Sequence, residues 1–259
     1  MQTWKFRPAA DHGLAFADRL KSLHRETGLL GALGRFSMWL LVRVYLRLYH
    51  RLRIRGTAWL PQRPSFVLVA NHTSHLDALV LAACLPLGWC DRTFALAAGD
   101  VFFTSLPGSI LVTTMLNALP IWRKKTRREH LQALRARLLE RQSVYILFPE
   151  GARSRDGLMM PFKAGLGPLV AATAIPVVPC HIMGAFDAFA PHAHWPRPRP
   201  IVVTIGRPHL FAETENSMAG WTTIAARMER AVRELACEDY PENVRPGDAP
   251  PIDGGTKMQ

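Results

Sequence analysis

An imidazole and a carboxylate held side by side can take a proton from a third group. The run Asn71-His72-Thr73-Ser74-His75-Leu76-Asp77 holds such a pair, His72 and Asp77, just past a short stretch of strand-forming residues. On a continuous helix, five steps of about 100° would leave them well off one face. They meet only if His72 lies in a loop and Asp77 in the first turn or two of a helix. There the carboxylate fixes the tautomer and stabilises the imidazolium, and the other ring nitrogen becomes a general base. No serine or cysteine nucleophile is required, because an external hydroxyl can be the group deprotonated. With ten His and ten Asp in 259 residues, roughly 0.4 such spacings arise by chance. The plainer alternative is a strand-end histidine with Asp77 as a helix-terminal acid, a place where Ser74 could equally cap. His75 is a rival for the base.

A second segment, Phe148-Pro149-Glu150-Gly151-Ala152-Arg153-Ser154-Arg155-Asp156-Gly157, also follows a strand directly. Gly151 and Gly157 permit close backbone approach, and Arg153 and Arg155 are forked donors suited to a phosphate. Glu150 could hold an arginine or a substrate hydroxyl, and Lys163 brings a further cation near. A third loop, Leu119-Pro120-Ile121-Trp122-Arg123, delivers Arg123. Loops at strand ends of one parallel sheet converge at its carboxyl edge, where ligands bind.

The elements that must position these residues alternate in type. Phe66–Ala70, Thr93–Ala97, Val144–Phe148, Val177–Ile182 and Ile201–Ile205 read as strands. A helix is expected to open near Ser74, and others over Arg127–Gln142, Lys163–Thr173 and Met218–Ala236. In the Arg127–Gln142 helix, Leu131, Leu134, Leu138 and Leu139 share one side and arginines the other. The alternation predicts an α/β fold, a central, mostly parallel sheet flanked by helices. Pro191–Pro200 reads as a Pro-rich surface loop.

Thirty-two Lys and Arg against twenty Asp and Glu give a net charge of +12, which asks for an anionic partner. Residues 1–60 hold eleven of the cations against three acids, and residues 121–141 hold eight against two. The first group is interleaved with aliphatics from Leu29 to Tyr49. Arg43, Arg47, Arg51 and Arg55 recur every four residues, as on a helix ridge. Such a helix lies in a membrane interface with its arginines snorkelling, or else is a core helix with a solvated arginine face. Val101–Trp122 carries no charge and is long enough to span. Pro107, Gly108, Pro120 and several hydroxyl residues interrupt it, so it reads as a monotopic patch or a buried element. A nucleic-acid partner is not expected, because the cations sit among aliphatics rather than on a polar face with free aromatics.

Much else is excluded. No G-x-S-x-G, G-x-x-x-x-G-K or G-x-G-x-x-G occurs, which removes the main support for a serine hydrolase, a P-loop NTPase or a dinucleotide enzyme. The one H-x-H, His192-Ala193-His194, does not make a zinc site, so no metal is expected. Cys84, Cys90, Cys180 and Cys237 form no C-x-x-C and read as reduced core residues. The first twenty residues have no secretory h-region.

The chain resembles the glycerolipid acyltransferase family, of the lysophosphatidic-acid (1-acyl-sn-glycerol-3-phosphate) acyltransferase type. Four ordered blocks carry the likeness: Asn71-His72 through Asp77, Leu119–Arg123, Phe148–Ser154 and Ile175-Pro176-Val177-Val178-Pro179. Together they span roughly residues 65–205. The resemblance implies His72 as base with Asp77 as its partner, and Arg123, Glu150, Gly151 and Arg153 around the acceptor phosphate. It implies a lysophospholipid acceptor and a thioester donor, acyl-CoA or acyl carrier protein, with no bound cofactor. It also implies membrane lipid as a partner and a monotopic place on the cytoplasmic face of the membrane. The expected organisation is a helical anchor over 1–56, an α/β domain over 57–245 and a loose tail over 246–259. Trp122 stands where the family usually has Asp, and Ala152 where it often has Thr. Both flank the expected head-group site, so acceptor identity (lysophosphatidic acid, lyso-ornithine lipid, lysophosphatidylethanolamine or glycerol-3-phosphate) stays open.

Overall fold

Phe66–Ala70 and Val144–Leu147 are nearly continuous apolar runs, the pattern of strands covered on both faces. A computed structural model, which describes residues 13–15, 18, 20, 22, 28–98, 109, 113–121 and 128–236, places them at the centre of a sheet. Among the described residues the order is α1 (Leu29–Tyr49), β1 (Arg53–Arg55), β2 (Phe66–Ala70), α2 (Asp77–Ala83), β3 (Thr93–Ala98), β4 (Leu119–Ile121) and α3 (Arg128–Glu140). There follow β5 (Val144–Leu147), α4 (Gly167–Val170), β6 (Val177–Met183), α5 (Ala185–Phe189), β7 (Val202–Ile205) and α6 (Met218–Glu234). The seven strands lie in the order β1-β7-β6-β2-β5-β3-β4. All neighbours are parallel except β6 and β7.

Side chains alternate across the strands and divide the core in two. Phe66, Leu68, Ala70, Val144 and Ile146 face α1, α2 and α5. Val67, Val69, Tyr145 and Val177 face α3, α4 and α6, meeting Leu134, Leu138, Leu169, Ile224, Met228 and Val232. The result is an α/β/α sandwich. Tyr145, wholly buried, satisfies its hydroxyl by donating to the Leu134 carbonyl at 2.8 Å. Cys84, Cys90 and Cys180 are buried free thiols, and burial pushes Cys84 up to about 12.

Several expectations are corrected. The arginine ridge does not continue past Arg47, because α1 stops at Tyr49; Arg51 has a φ of 47° and Arg55 lies in β1. The backbone there finds partners in the sheet instead, Arg53 N–H donating to Ile201 and Ile201 N–H to His50. β1 thus places residues 53–55 in the sheet, ahead of the expected start of the α/β domain at 57. Lys163–Thr173 is not one helix but a 3-10 turn, Ala164–Leu166, followed by the four residues of α4. Gly165, Gly167 and Pro168 weaken helix there, and a Cβ on Gly167 would stand 2.3 Å from that of Trp221. Leu139 is exposed, one position beyond the buried Leu138, while Arg137 turns back over the Phe94 ring at 4.3 Å.

Leu119–Ile121, expected within a patch or a loop, is the edge strand β4, and Leu119 is fully buried. Most of 101–112, together with Trp122, Arg123 and the 246–259 tail, lies outside the described residues. Among the described residues no helix is long and apolar enough to cross a membrane.

Helix α1 is apolar on both its inward and its outward side. Its inward side carries Trp39, Leu46 and Arg35, the last paired with Asp91 at 2.8 Å. Its outward side shows Leu33, Phe36, Leu40, Leu41, Val44 and Leu48, of which Leu41 and Leu48 are 64% and 74% exposed. The expectation of a core helix with a solvated arginine face fails, since much of the solvated face is aliphatic.

Candidate active site

β2 and β5 are adjacent and parallel, with Val69 opposite Leu147, so the loops that follow them leave the sheet side by side. At the end of β2, Asn71 uses its side chain as a false strand. Its amide donates to the Ile182 carbonyl at 2.9 Å and its oxygen accepts from the Ile182 N–H at 2.8 Å. This keeps β6 satisfied while the main chain turns away at His72.

The turn is built around Asp77, wholly buried in the first turn of α2. Its Oδ2 accepts from the amides of Thr73 and Ser74 at 2.6 and 2.8 Å, and from the His72 ring through Nδ1 at 2.8 Å. Because the carboxylate accepts, Nδ1 carries the proton and Nε2 keeps its lone pair. Nε2 makes no hydrogen bond among the described residues. The His72 ring lies flat on Phe148, with centroids 4.1 Å apart and planes 15° off parallel. Ser74 takes a share of the loop as well, its hydroxyl accepting from Leu76 N–H and donating to the Phe189 carbonyl.

The second loop grips the backbone of His72 from the other side. Glu150 Oε1 accepts the His72 N–H at 2.8 Å, and Ser154 N–H donates to the His72 carbonyl at 2.8 Å. Glu150 Oε2 accepts from Met160 N–H at 3.1 Å. The expectation that Glu150 holds an arginine or a substrate hydroxyl is therefore replaced: the side chain is 1% exposed and both oxygens hold main chain. Burial pushes its carboxyl up to about 7; the amides of His72 and Met160 oppose the rise and Asp77 adds to it.

The cations take separate places. Arg153 lies against the ring of His75, contacting both nitrogens. Burial, Arg153 and the His72 side push the His75 imidazole down. His75 also reaches the Pro191 carbonyl at 3.3 Å, so the carboxylate partner belongs to His72 and not to its rival. Lys163 lies across Gly151: with φ at 75°, a Cβ on that glycine would stand 3.0 Å from Lys163 Nζ. Arg155 is exposed. Among the described residues no group of three or more His, Cys, Asp or Glu side chains gathers as a metal would need. The contacts of Phe148, Ser154 and Met160 with the site were not signalled by residue type. Two of them are made by main-chain amides, which any residue supplies.

The chain is similar to known acyltransferases. The family model described as Acyltransferase matches residues 51–183, a stretch holding His72, Asp77, Glu150, Arg153 and Lys163. A 1-acyl-sn-glycerol-3-phosphate acyltransferase of Cocos nucifera is 26% identical over 180 residues, 69% of this chain and 54% of that protein. One from Limnanthes douglasii is 30% identical over 155 residues, 59% of this chain and 52% of that protein. The human 1-acyl-sn-glycerol-3-phosphate acyltransferase alpha is 30% identical over 141 residues, 54% of this chain and 47% of that protein. The chain spans about half the length of these relatives. The crystal structure of the 1-acyl-sn-glycerophosphate (LPA) acyltransferase PlsC from Thermotoga maritima has the same fold. It superimposes with a TM-score of 0.59 at 21% identity, covering 79% of this chain and 78% of that one.

The Glu150 carboxyl gives a pH test. Its folded value lies above the ordinary 4.5, so the folded state holds an extra proton between 4.5 and about 7, and this contribution to stability is lost as pH rises through that window. Glu150→Gln removes the titration. The melting temperature of the wild type relative to Glu150→Gln is expected to fall between pH 5 and pH 8; a flat or rising difference contradicts the assignment.

Proposed function

This chain belongs to the acyltransferase family, and on that footing we propose that it is a membrane-associated O-acyltransferase. It moves a fatty acyl group from an acyl thioester to the hydroxyl of a lysophospholipid, 1-acyl-sn-glycerol-3-phosphate, giving phosphatidic acid. The observation that carries the reading is the 2.8 Å hydrogen bond from His72 Nδ1 to a buried Asp77, which leaves Nε2 as the basic nitrogen. The names borne by the relatives support the acceptor.

Nε2 takes the proton of the acceptor hydroxyl as its oxygen attacks the thioester carbonyl carbon. Asp77 stabilises the imidazolium so formed. The tetrahedral adduct then collapses, the C–S bond breaks, and the thiolate leaves with the proton from Nε2. No covalent acyl-enzyme is needed. Arg153 and Lys163, on the loop that holds His72, are the cations for the acceptor phosphate. Glu150 acts by positioning His72. His72→Ala is expected to abolish acylation of 1-acyl-sn-glycerol-3-phosphate, read by lipid mass spectrometry, with the melting temperature little changed. Asp77→Asn should lower kcat by about 10³–10⁴-fold. Near-normal turnover in either variant removes the pair from the mechanism.

The aliphatic outward side of α1 is the surface we assign to the bilayer on its cytoplasmic face, with Arg47 beside it for anionic head groups. Each leucine withdrawn from water contributes about 1.5–3 kcal/mol. Leu41→Asp with Leu48→Asp should therefore cut co-sedimentation with phosphatidylglycerol vesicles by at least about tenfold. Both positions are solvated, so the fold should persist. Unchanged vesicle binding would move the membrane surface elsewhere.

A further inference from the structure

Beside the site lies a cleft of 590 Å³ that the acyl-transfer chemistry described so far does not use. Its wall is the sequence Trp195-Pro196-Arg197-Pro198-Arg199-Pro200. A tight turn about Pro198 is closed by Arg199 N–H donating to the Arg197 carbonyl at 2.8 Å. Proline restricts the residue before it to extended backbone, so three prolines constrain Trp195, Arg197 and Arg199. These three line the cleft and the prolines between them do not. Three carbonyls of the strip meet the residues at the end of α1. Pro196 accepts from the Tyr49 hydroxyl at 3.2 Å, Arg199 from His50 Nδ1 at 3.2 Å, and Pro198 from Arg51 at 3.5 Å.

The cleft therefore presents two guanidiniums and an indole on a stiff support, with His192 and His194 beside them. Asp187 is the single acid in the lining, and neither guanidinium is tied to an acid among the described residues. Trp195 is 82% exposed. Forked cations select phosphate oxygens, and a free indole face selects a flat ring. The volume suits a nucleotide and is generous for a single phosphate. It is also concave, whereas a helical carrier protein needs a broad surface.

The cleft adjoins the catalytic loop. Ser74 and His75 both donate to the carbonyl of Phe189, the last residue of α5, and His75 reaches Pro191. Phe186, on the cleft wall, packs on Gly157 of the second loop. Resting on the acyl-transfer reading above, we infer that this cleft holds the 3′-phosphoadenosine diphosphate end of an acyl-CoA donor. Arg197 and Arg199 take its phosphates and Trp195 stacks on the adenine, while the pantetheine arm runs past His75 to bring the thioester to His72.

The test titrates the full chain with adenosine 3′,5′-bisphosphate and with free CoA by calorimetry. It also compares kcat/KM for acyl-CoA with that for acyl-pantetheine, which lacks the nucleotide. Arg197→Ala with Arg199→Ala should weaken both ligands, and shrink the advantage of acyl-CoA over acyl-pantetheine, by about tenfold or more. Arg197→Lys with Arg199→Lys should recover part of each. Wild-type affinity and an undiminished advantage in the alanine pair overturn the site, as does an enzyme that accepts only acyl carrier protein thioesters and ignores free CoA. If no thioester donates at all, yet the bisphosphate binds in an arginine-dependent way, the nucleotide cleft stands and the acyl-transfer reading falls.

Discussion

The main chain of His72 is held on both sides by a loop that begins nearly eighty residues later. Glu150 takes its N–H and Ser154 fills its carbonyl. The parallel pairing of β2 with β5 leaves two strand ends side by side, each with main-chain groups that the sheet no longer satisfies. Crossing the two loops satisfies them mutually and fixes the imidazole at the same time. Hydrogen bonds to a charged acceptor contribute about 1.5–3 kcal/mol each, and the amides of His72 and Met160 offset part of the desolvation that pushes the Glu150 carboxyl up. Asp77 does the same inside the first loop, gathering two amides and the ring on one oxygen. Phe148 closes the remaining freedom, because a ring stacked on its face cannot tumble.

The same economy of main-chain partners ties the rest of the molecule to this point. The end of α1 and the two residues after it, Tyr49, His50 and Arg51, are all bonded to the Pro-rich strip, and that strip continues into β7 and the sheet. Residues 74 and 75 are bonded in turn to the end of α5. The aliphatic surface, the cationic cleft and the His72 loop are thus connected by a chain of hydrogen bonds. In the acyl transfer proposed above, the aliphatic surface would meet the lipid acceptor and the cleft the soluble donor.

What could be read from residues alone follows a physical division. Phe66–Ala70 is legible to the residue because a strand buried on both faces must be apolar throughout. α6 is legible because its apolar residues recur at helical spacing over seventeen positions. β1 and β4 are not, since three residues carry no period and exist as strands only through their neighbours. The arginine ridge misled because spacing continued where hydrogen bonding changed, at His50. Lys163–Thr173 misled because its apolar residues suit a helix while Gly167 and Pro168 do not. In the site, His72 and Asp77 were legible as a pair of types at a spacing. The part played by Glu150 was not, because a side chain that binds main chain leaves no matching residue to find.

The tautomer of His72 is the most direct test, and the nitrogen shifts and proton couplings of a ¹⁵N-labelled imidazole report it without substrate. At a pH where the ring is neutral, the expected spectrum has a protonated Nδ1 in a strong hydrogen bond and an unprotonated Nε2. A ring protonated at Nε2, or one averaging between both forms, would mean that Asp77 does not hold the proton where a base facing the acceptor requires it.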